Sequence, residues 1–169
     1  MSISMYQVSI PALIRGLKQL QHVLNKGAAH AETLSIDQEV LVNARLYPNM
    51  LPLARQVYIA TDTAKGCGAR LAGQQPPSYD DIEITFNDLN ARIEKTITYL
   101  NSFEASQIDG SEGNEIVLEL GSHSVKFPGL IYLTSFALPN FYFHLTTAYN
   151  LLRHNGVELG KLDYLGAPQ

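Results

Sequence analysis

Four segments of the chain carry apolar residues at intervals of three and four, and this spacing constrains the fold more than any other feature. An α-helix repeats every 3.6 residues, so these intervals align the apolar side chains along one face. Four such helices predict a bundle with a shared core. The sets are Leu13, Leu17, Leu20 and Leu24; Leu53, Val57, Ala60, Ala64, Cys67 and Leu71; Ile82, Phe86, Leu89, Ile93, Ile97 and Leu100; and Leu133, Ala137, Phe141, Leu145, Ala148 and Leu152.

Glycine, proline and capping residues indicate where these helices begin and end. Pro11 is placed in the first turn of helix one, with residues 3–10 either continuing it irregularly or forming an arm. Pro139 falls inside the fourth segment and predicts a kink or a break, because proline has no N–H to donate. The predicted spans are 11–27, 53–73, from Asp80 or Asp81 to about Phe103, and 130–153, with a short helix from Ser35 or Asp37 to about Leu46.

The apolar period changes from about 3.6 to 2 in residues 115–127, which predicts two β-strands. Ile116, Leu118 and Leu120 alternate with their neighbours, and Gly121-Ser122 is a plausible two-residue turn. A lone hairpin is marginal in water, so its apolar face should lie on the bundle. The tail over residues 157–169 is predicted to be irregular and held by Leu162, Tyr164 and Leu165.

Composition restricts the class of protein. The 169 residues suit one domain over residues 1–169, and the 46% apolar and 17% charged content is that of a globular chain. The net charge of −4 gives no electrostatic reason to bind nucleic acid or an anionic membrane. The start of the chain lacks a signal-peptide pattern and no segment is apolar enough to span a bilayer, which predicts a cytoplasmic location.

Two polar side chains border the core face of the fourth helix. His144 lies three residues after Phe141, and Asn140 lies four residues before His144, so both are expected on one face. This spacing suits a ligand or metal site inside a bundle. The simpler alternative is that the two side chains satisfy each other, or bond backbone groups near Pro139, because buried polar groups need partners for stability alone.

Several familiar chemistries find no support in the sequence. It contains no His-Glu-x-x-His or paired-cysteine metal motif, no Gly-x-Ser-x-Gly elbow and no Walker A loop. Cys67, the single cysteine, lies in an apolar face and is expected to be a small core residue. Gln56 and Asp62 on the second helix could enter the bundle; alternatively Asp62 pairs with Lys65 at the surface.

Three segments of the chain resemble an uncharacterised bacterial family, the domain-of-unknown-function family 1993 within the DinB/YfiT-like superfamily. They read NARLYPNMLPL over residues 43–53, ALPNFYFHLTTAY over 137–149 and LRHNGV over 152–157. The resemblance extends over nearly the whole chain. It implies a mainly α fold, a DinB-like four-helix bundle with up-down-down-up helices, and often a homodimer. The hairpin would then lie in the crossover before the last helix.

The resemblance also suggests site residues. Many members of the superfamily hold nickel or zinc on three histidines, one on helix two and two spaced i,i+4 on helix four. In this chain His144 matches one of the pair, Asn140 stands where the other would be, and Gln56 is the nearest candidate on helix two. Amide oxygens are weak ligands for such metals, so no metal is expected, and His144 would be its ligand if one were bound.

Taken together, these features predict a homodimer that binds a small molecule or a partner in a pocket near His144. The candidate ligand-binding residues are His144, Asn140, Gln56 and Tyr149. The alternative is a metal-assisted transferase or hydrolase with a reduced site, in which His144 serves as ligand or general base. The sequence leaves open whether the protein is an enzyme.

Overall fold

The four predicted helices are present in the computed structural model, which describes residues 3–121 and 123–166. They are α1 (Met5–Thr33), α3 (Leu53–Leu71), α4 (Phe86–Leu100) and α7 (Leu138–His154). Shorter helices connect or follow them, namely α2 (Gln38–Val42), α5 (Ala105–Ile108), α6 (Gly129–Ile131) and α8 (Lys161–Leu165). The predicted second helix agrees closely with α3, whose six apolar-face residues are all buried.

The long helices form a ring in which α1 and α3 each pack against α4 and α7. Contacts between side chains give the helix directions. Helices α1 and α7 are parallel, α4 is antiparallel to α1, and α3 is antiparallel to α7. The arrangement is therefore up-down-down-up, as predicted. The defining pairs are Gly16 with Phe141 and Gly27 with Leu152 (α1 and α7), Gln21 with Glu94 and Asn25 with Asn90 (α1 and α4), and Gln56 with His144 and Thr63 with Asn140 (α3 and α7).

Helix α1 is longer than predicted at both ends. It begins after Ser4, which forms a capping box with Gln7, so Pro11 lies inside the helix rather than in its first turn. Pro11 is tolerated there because both it and the Gln7 carbonyl it leaves unbonded lie on the exposed side. Gly27 does not end the helix; a Cβ there would lie 3.0 Å from Leu152, so this glycine permits close packing.

Helix α4 begins at Phe86, later than predicted, because Thr85 caps it and forms a capping box with Asp88. Ile82, assigned to its inner face, is 76% exposed in the extended segment that precedes the helix. The short helix α2 is capped by Asp37, which was one of the two predicted caps. It ends at Val42 rather than near Leu46.

The hairpin consists of β1 (Glu115–Leu120) and β2 (His123–Pro128), which pair antiparallel with Ile116 opposite Phe127 and Leu118 opposite Val125. Ile116 and Leu118 are buried, so one face packs on the helices as expected. Gly121 has a φ of 64°, a value typical of a turn glycine. Ser122, the other predicted turn residue, lies outside the described residues.

Proline 139 interrupts the last helix as predicted. Helix α6 is followed by a π-helical segment, Tyr132–Ala137, and the regular helix α7 starts only at Leu138. The wider turns of the π segment accommodate the missing N–H of Pro139. Gly156, with a φ of 89°, follows the end of α7, again as predicted.

The tail is held differently from the prediction. Val157 and Leu159 are buried, whereas Leu162 is 76% exposed on α8, so Leu162 does not anchor the segment. Of the three predicted anchors, Tyr164 packs against the core. The predicted fold class is confirmed, a mainly helical chain with a hairpin before the last long helix. None of the described helices has the length and apolar character that a membrane crossing requires.

Candidate functional site

His144 and Gln56 meet in the interface between α3 and α7. The His144 Nδ1 atom lies 2.7 Å from the Gln56 Oε1 atom, and both residues are buried. Gln56 lies in the first turn of α3, four residues after the N-cap Pro52, and its Nε2 atom donates to the Leu51 carbonyl at 2.8 Å. These two side chains, with the Leu51 carbonyl, are called the His144 centre below.

The Leu51 carbonyl determines which nitrogen of His144 carries a proton. A carbonyl oxygen only accepts hydrogen bonds, so Gln56 must present its NH₂ group to Leu51 and its oxygen to His144. The oxygen of Gln56 accepts, so His144 Nδ1 must donate. In the neutral imidazole the Nε2 atom then carries a lone pair, and no protein group among the described residues bonds it.

Burial keeps this imidazole neutral. Removal of His144 from water lowers its pKa from the ordinary value of 6.5, because the charged form loses more hydration than the neutral form. Near neutral pH the side chain therefore offers a basic lone pair. Such an atom can accept a hydrogen bond, take up a proton or ligate a metal.

The loop before α3 positions the Leu51 carbonyl. Leu53 N–H donates to the Ala44 carbonyl at 3.0 Å, which closes the loop, and Met50 N–H donates to the Tyr47 carbonyl at 2.9 Å. Arg45 reaches across it and donates to the Met50 carbonyl. In the same loop Tyr47 and Leu51 are 63% and 41% exposed. On α7, Phe143 is 56% exposed, and its ring centroid lies 5.2 Å from that of His144.

The other two predicted site residues lie elsewhere. Asn140 does face α3, but its Nδ2 atom donates to Thr63 Oγ1 at 2.8 Å, and it makes no bond with His144. The idea that His144 and Asn140 satisfy each other is therefore wrong, because each finds a partner on the neighbouring helix. Tyr149 is half-buried against Tyr164 of α8, with ring centroids 5.9 Å apart.

A charged cluster on the other side of α3 was not anticipated. Arg92 of α4 is buried, and each nitrogen of its guanidinium has an oxygen partner within 3.2 Å. The partners are Thr61 Oγ1, the Asp80 carbonyl and the carboxylates of Asp62, Asp81 and Glu83. This Arg92 cluster ties the extended segment before α4 to α3.

Aromatic rings complete the Arg92 cluster, since the guanidinium lies 4.7 Å from the Tyr58 ring centroid and 5.4 Å from that of Tyr79. The predicted ion pair of Asp62 with Lys65 is present, but Lys65 is buried rather than at the surface. The signal in the sequence was Arg92 beside the apolar face of the predicted third helix, downstream of three acidic residues within four positions.

Cys67 lies fully buried among apolar side chains, as predicted. Burial raises the pKa of its thiol to about 12, and the nearby Arg70 guanidinium opposes that rise only in part. A thiol with this pKa holds its proton at neutral pH, which makes it a small apolar side chain rather than a nucleophile.

Comparison with known sequences and structures identifies the family. The model of the domain-of-unknown-function family DUF1993 matches residues 5–165. The chain belongs to the DUF1993 family. A crystal structure of a DinB family member protein from Shewanella denitrificans has a TM-score of 0.86 and 40% identity to this DUF1993 chain, over 96% of this chain and 92% of that one. No curated protein matches the chain.

The donor groups of this DUF1993 protein do not fit the three-histidine metal site of the superfamily. His144 supplies one imidazole, but the Gln56 oxygen already accepts from His144, and Asn140 is bonded to Thr63. Within residues 3–121 and 123–166, no three His, Cys, Asp or Glu side chains lie close enough together to hold a metal ion. A single neutral imidazole nitrogen is a weak site for nickel or zinc when the neighbouring amide groups are already engaged in hydrogen bonds.

Proposed function

We propose that this DUF1993 protein binds a small molecule at the His144 centre, with the Nε2 atom of His144 accepting a hydrogen bond from the ligand. One observation carries the proposal: the Leu51 carbonyl orients Gln56, and Gln56 in turn fixes the tautomer of His144. The Nε2 atom has no protein partner among the described residues and is not fully buried, so a ligand can reach it. Of the two ring nitrogens, one is bonded and the other is left available.

The ligand class follows from the state of the imidazole. A neutral ring with a lone pair on Nε2 favours a ligand that donates a proton or a hydrogen bond, such as an alcohol, an amide or a thiol. The exposed apolar side chains of Tyr47, Leu51 and Phe143 would contact the apolar part of such a molecule. The donor set supports binding rather than metal-assisted transfer or hydrolysis.

A homodimer is part of the proposal. Large side chains are exposed to water here, namely Tyr47 and Leu51 in the loop before α3 and Phe143 beside His144 on α7. Aromatic residues of this kind are enriched in subunit contacts. A second copy would cover them and limit access of water to the centre. Light scattering should give twice the chain mass; a monomeric mass at micromolar concentration would refute the dimer.

The binding proposal can be tested with a library of small hydrogen-bond donors observed by ligand-detected NMR. We expect some alcohols, amides or thiols to bind the wild type and His154→Leu, which alters the exposed end of α7, but not His144→Leu. Thermal unfolding shows whether each variant is folded. Binding that is the same in the wild type and the folded His144→Leu variant would refute the site.

Elemental analysis of protein purified without a histidine tag tests the metal alternative. Under the proposal, neither nickel nor zinc is present in stoichiometric amount. Stoichiometric metal that is lost in His144→Ala would overturn the preference for binding without a metal.

A further inference from the structure

A half-open cavity lies where α8 packs beside α1 and α7. Its volume is about 140 Å³, and its walls come from three helices. Leu145 and Leu165 provide apolar surface, and Gly16 brings α1 close to α7 because a Cβ there would lie only 2.5 Å from Phe141. The polar lining residues are Arg15, Gln19, Tyr142 and Tyr164.

The charge of this cavity is positive. Arg15 is the one charged residue in its lining. The carboxylate closest in sequence on α8, Asp163, is engaged by α1 instead, at 2.8 Å from His22 Nε2 and 3.1 Å from Lys26 Nζ. Arg15 forms no ion pair within the part of the chain that the structure describes. Among the described residues, no carboxylate therefore competes with an anion for Arg15.

The donors at this cavity are only partly used. Arg15 Nη2 donates to the Leu165 carbonyl at 2.8 Å, which leaves its other N–H groups available. Tyr164 shares a hydrogen bond of 3.0 Å with Thr146 Oγ1. Over residues 3–121 and 123–166, neither the Tyr142 hydroxyl nor the Gln19 amide has a hydrogen-bond partner.

The surroundings of Tyr142 keep its hydroxyl protonated. Burial raises the pKa of Tyr142, the neighbouring Tyr164 phenol raises it further, and the Arg15 guanidinium lowers it. Tyr142 is therefore a neutral hydroxyl that can donate near neutral pH.

We infer that this cavity is a second binding site, separate from the His144 centre, which takes a monocarboxylate with an apolar body about the size of a benzene ring. A single arginine balances a single negative charge, and the guanidinium fork matches the two oxygens of a carboxylate. An apolar cavity of about 150 Å³ is known to hold benzene, so the body of such an anion fits. The Tyr142 hydroxyl and the Gln19 amide supply further hydrogen bonds.

The test is a titration of isotope-labelled full-length protein with sodium benzoate, followed by amide NMR, with benzyl alcohol as a neutral probe of similar shape. Benzoate should shift the amides of Gly16, Gln19 and Leu165 in a saturable way, and benzyl alcohol should bind more weakly. Arg15→Gln and Tyr142→Phe should each weaken benzoate binding by about tenfold, as expected for loss of one charge-assisted or buried hydrogen bond.

The control variant is Lys18→Gln, which removes one positive charge from an exposed position on α1 outside the cavity. It should bind benzoate like the wild type. Arg15 also holds the Leu165 carbonyl, so Tyr142→Phe separates ligand binding from detachment of α8. The inference is overturned if benzoate causes no saturable shift, if benzyl alcohol binds as tightly, or if Lys18→Gln weakens binding as much as Arg15→Gln. All of these results are read from the amides of Gly16, Gln19 and Leu165, so an alcohol that binds at the His144 centre does not change the outcome.

Discussion

The Arg92 cluster and the His144 centre are two buried polar sites on the same helix, α3, and they differ in how completely their hydrogen bonds are used. Every guanidinium nitrogen of Arg92 has an oxygen partner, and two aromatic rings cover the group. In the centre, Gln56 uses both ends of its amide, but His144 uses one nitrogen of two.

The difference separates a structural role from a binding role. A buried charge is costly unless it is paired, so the full set of partners around Arg92 is what stability requires. The Arg92 cluster fixes the segment before α4 and has no donor left for a ligand. In the His144 centre, the hydrogen bonds of Gln56 orient the imidazole. The lone pair on Nε2 of His144 then points in a defined direction.

Replacement of Arg92 by methionine should give the largest loss of stability. It leaves the carboxylates of Asp62, Asp81 and Glu83 without their shared cation, and the expected cost is about 3 kcal/mol, at the lower end for a broken buried pair because these carboxylates keep some contact with water. Urea denaturation measures it. The control, Arg55→Met, breaks an exposed pair with Asp81 and should cost less than about 1 kcal/mol. Equal losses would contradict a structural role specific to Arg92.

Replacement of Gln56 by leucine should cost about 2 kcal/mol, because it leaves the Leu51 carbonyl and the His144 Nδ1–H without partners. The more specific result is a change in the imidazole. In the wild type, ¹⁵N NMR should show the proton of His144 on Nδ1, and in Gln56→Leu this preference should weaken. Gln74→Leu, at an exposed position, is the control. An unchanged tautomer in Gln56→Leu would show that Gln56 does not set it.

Replacement of Asn140 by leucine should cost about 1 kcal/mol, since it removes one half-buried hydrogen bond to Thr63. Although Asn140 lies one helical turn from His144, the tautomer of His144 should stay as in the wild type. Denaturation and ¹⁵N NMR of the same sample measure both quantities. A shift of the imidazole signals toward the other tautomer would mean that Asn140 belongs to the His144 centre after all.

The smallest expected effect is a change in how stability depends on pH. The folded protein holds the pKa of His144 below the ordinary value of 6.5, so the unfolded chain binds this proton first as the pH falls. The free energy of unfolding should therefore decrease from about pH 7 downward, until the folded protein is protonated too. His144→Leu should remove this part of the dependence, and urea denaturation at several pH values measures it. Identical slopes would contradict the lowered pKa.

The sequence located His144 and Gln56 but not the contact between them. Their residue types and the helical spacing of their neighbours placed both near a core face, and the structure confirms that both are buried. The same spacing placed Asn140 on one face with His144, and both do face α3. They do not bond each other, because side chains one turn apart on α7 each bond a different residue of α3. Tyr149, named with them as a candidate ligand-binding residue, lies half-buried against Tyr164 of α8.

Local signals also explain which parts of the fold were predicted well. The α3 pattern, the hairpin alternation and the break at Pro139 depend on residues close together in sequence, and all three are present. Gly27 and the start of α4 were misjudged. The first is a contact of α1 with α7, and the second depends on the Thr85 cap and on the acidic segment that Arg92 holds.

The sequence by itself determined that four helices share a core, since the repeat of apolar residues fixes which face of each helix must leave water. Only the tertiary structure decided how the buried polar groups pair. The offset and rotation of one helix against another, set by contacts such as Gly16 with Phe141, bring Gln56 to His144 and Arg92 to three carboxylates. A sequence pattern on a single helix carries no information about that offset, because it records which face is buried and not what lies opposite.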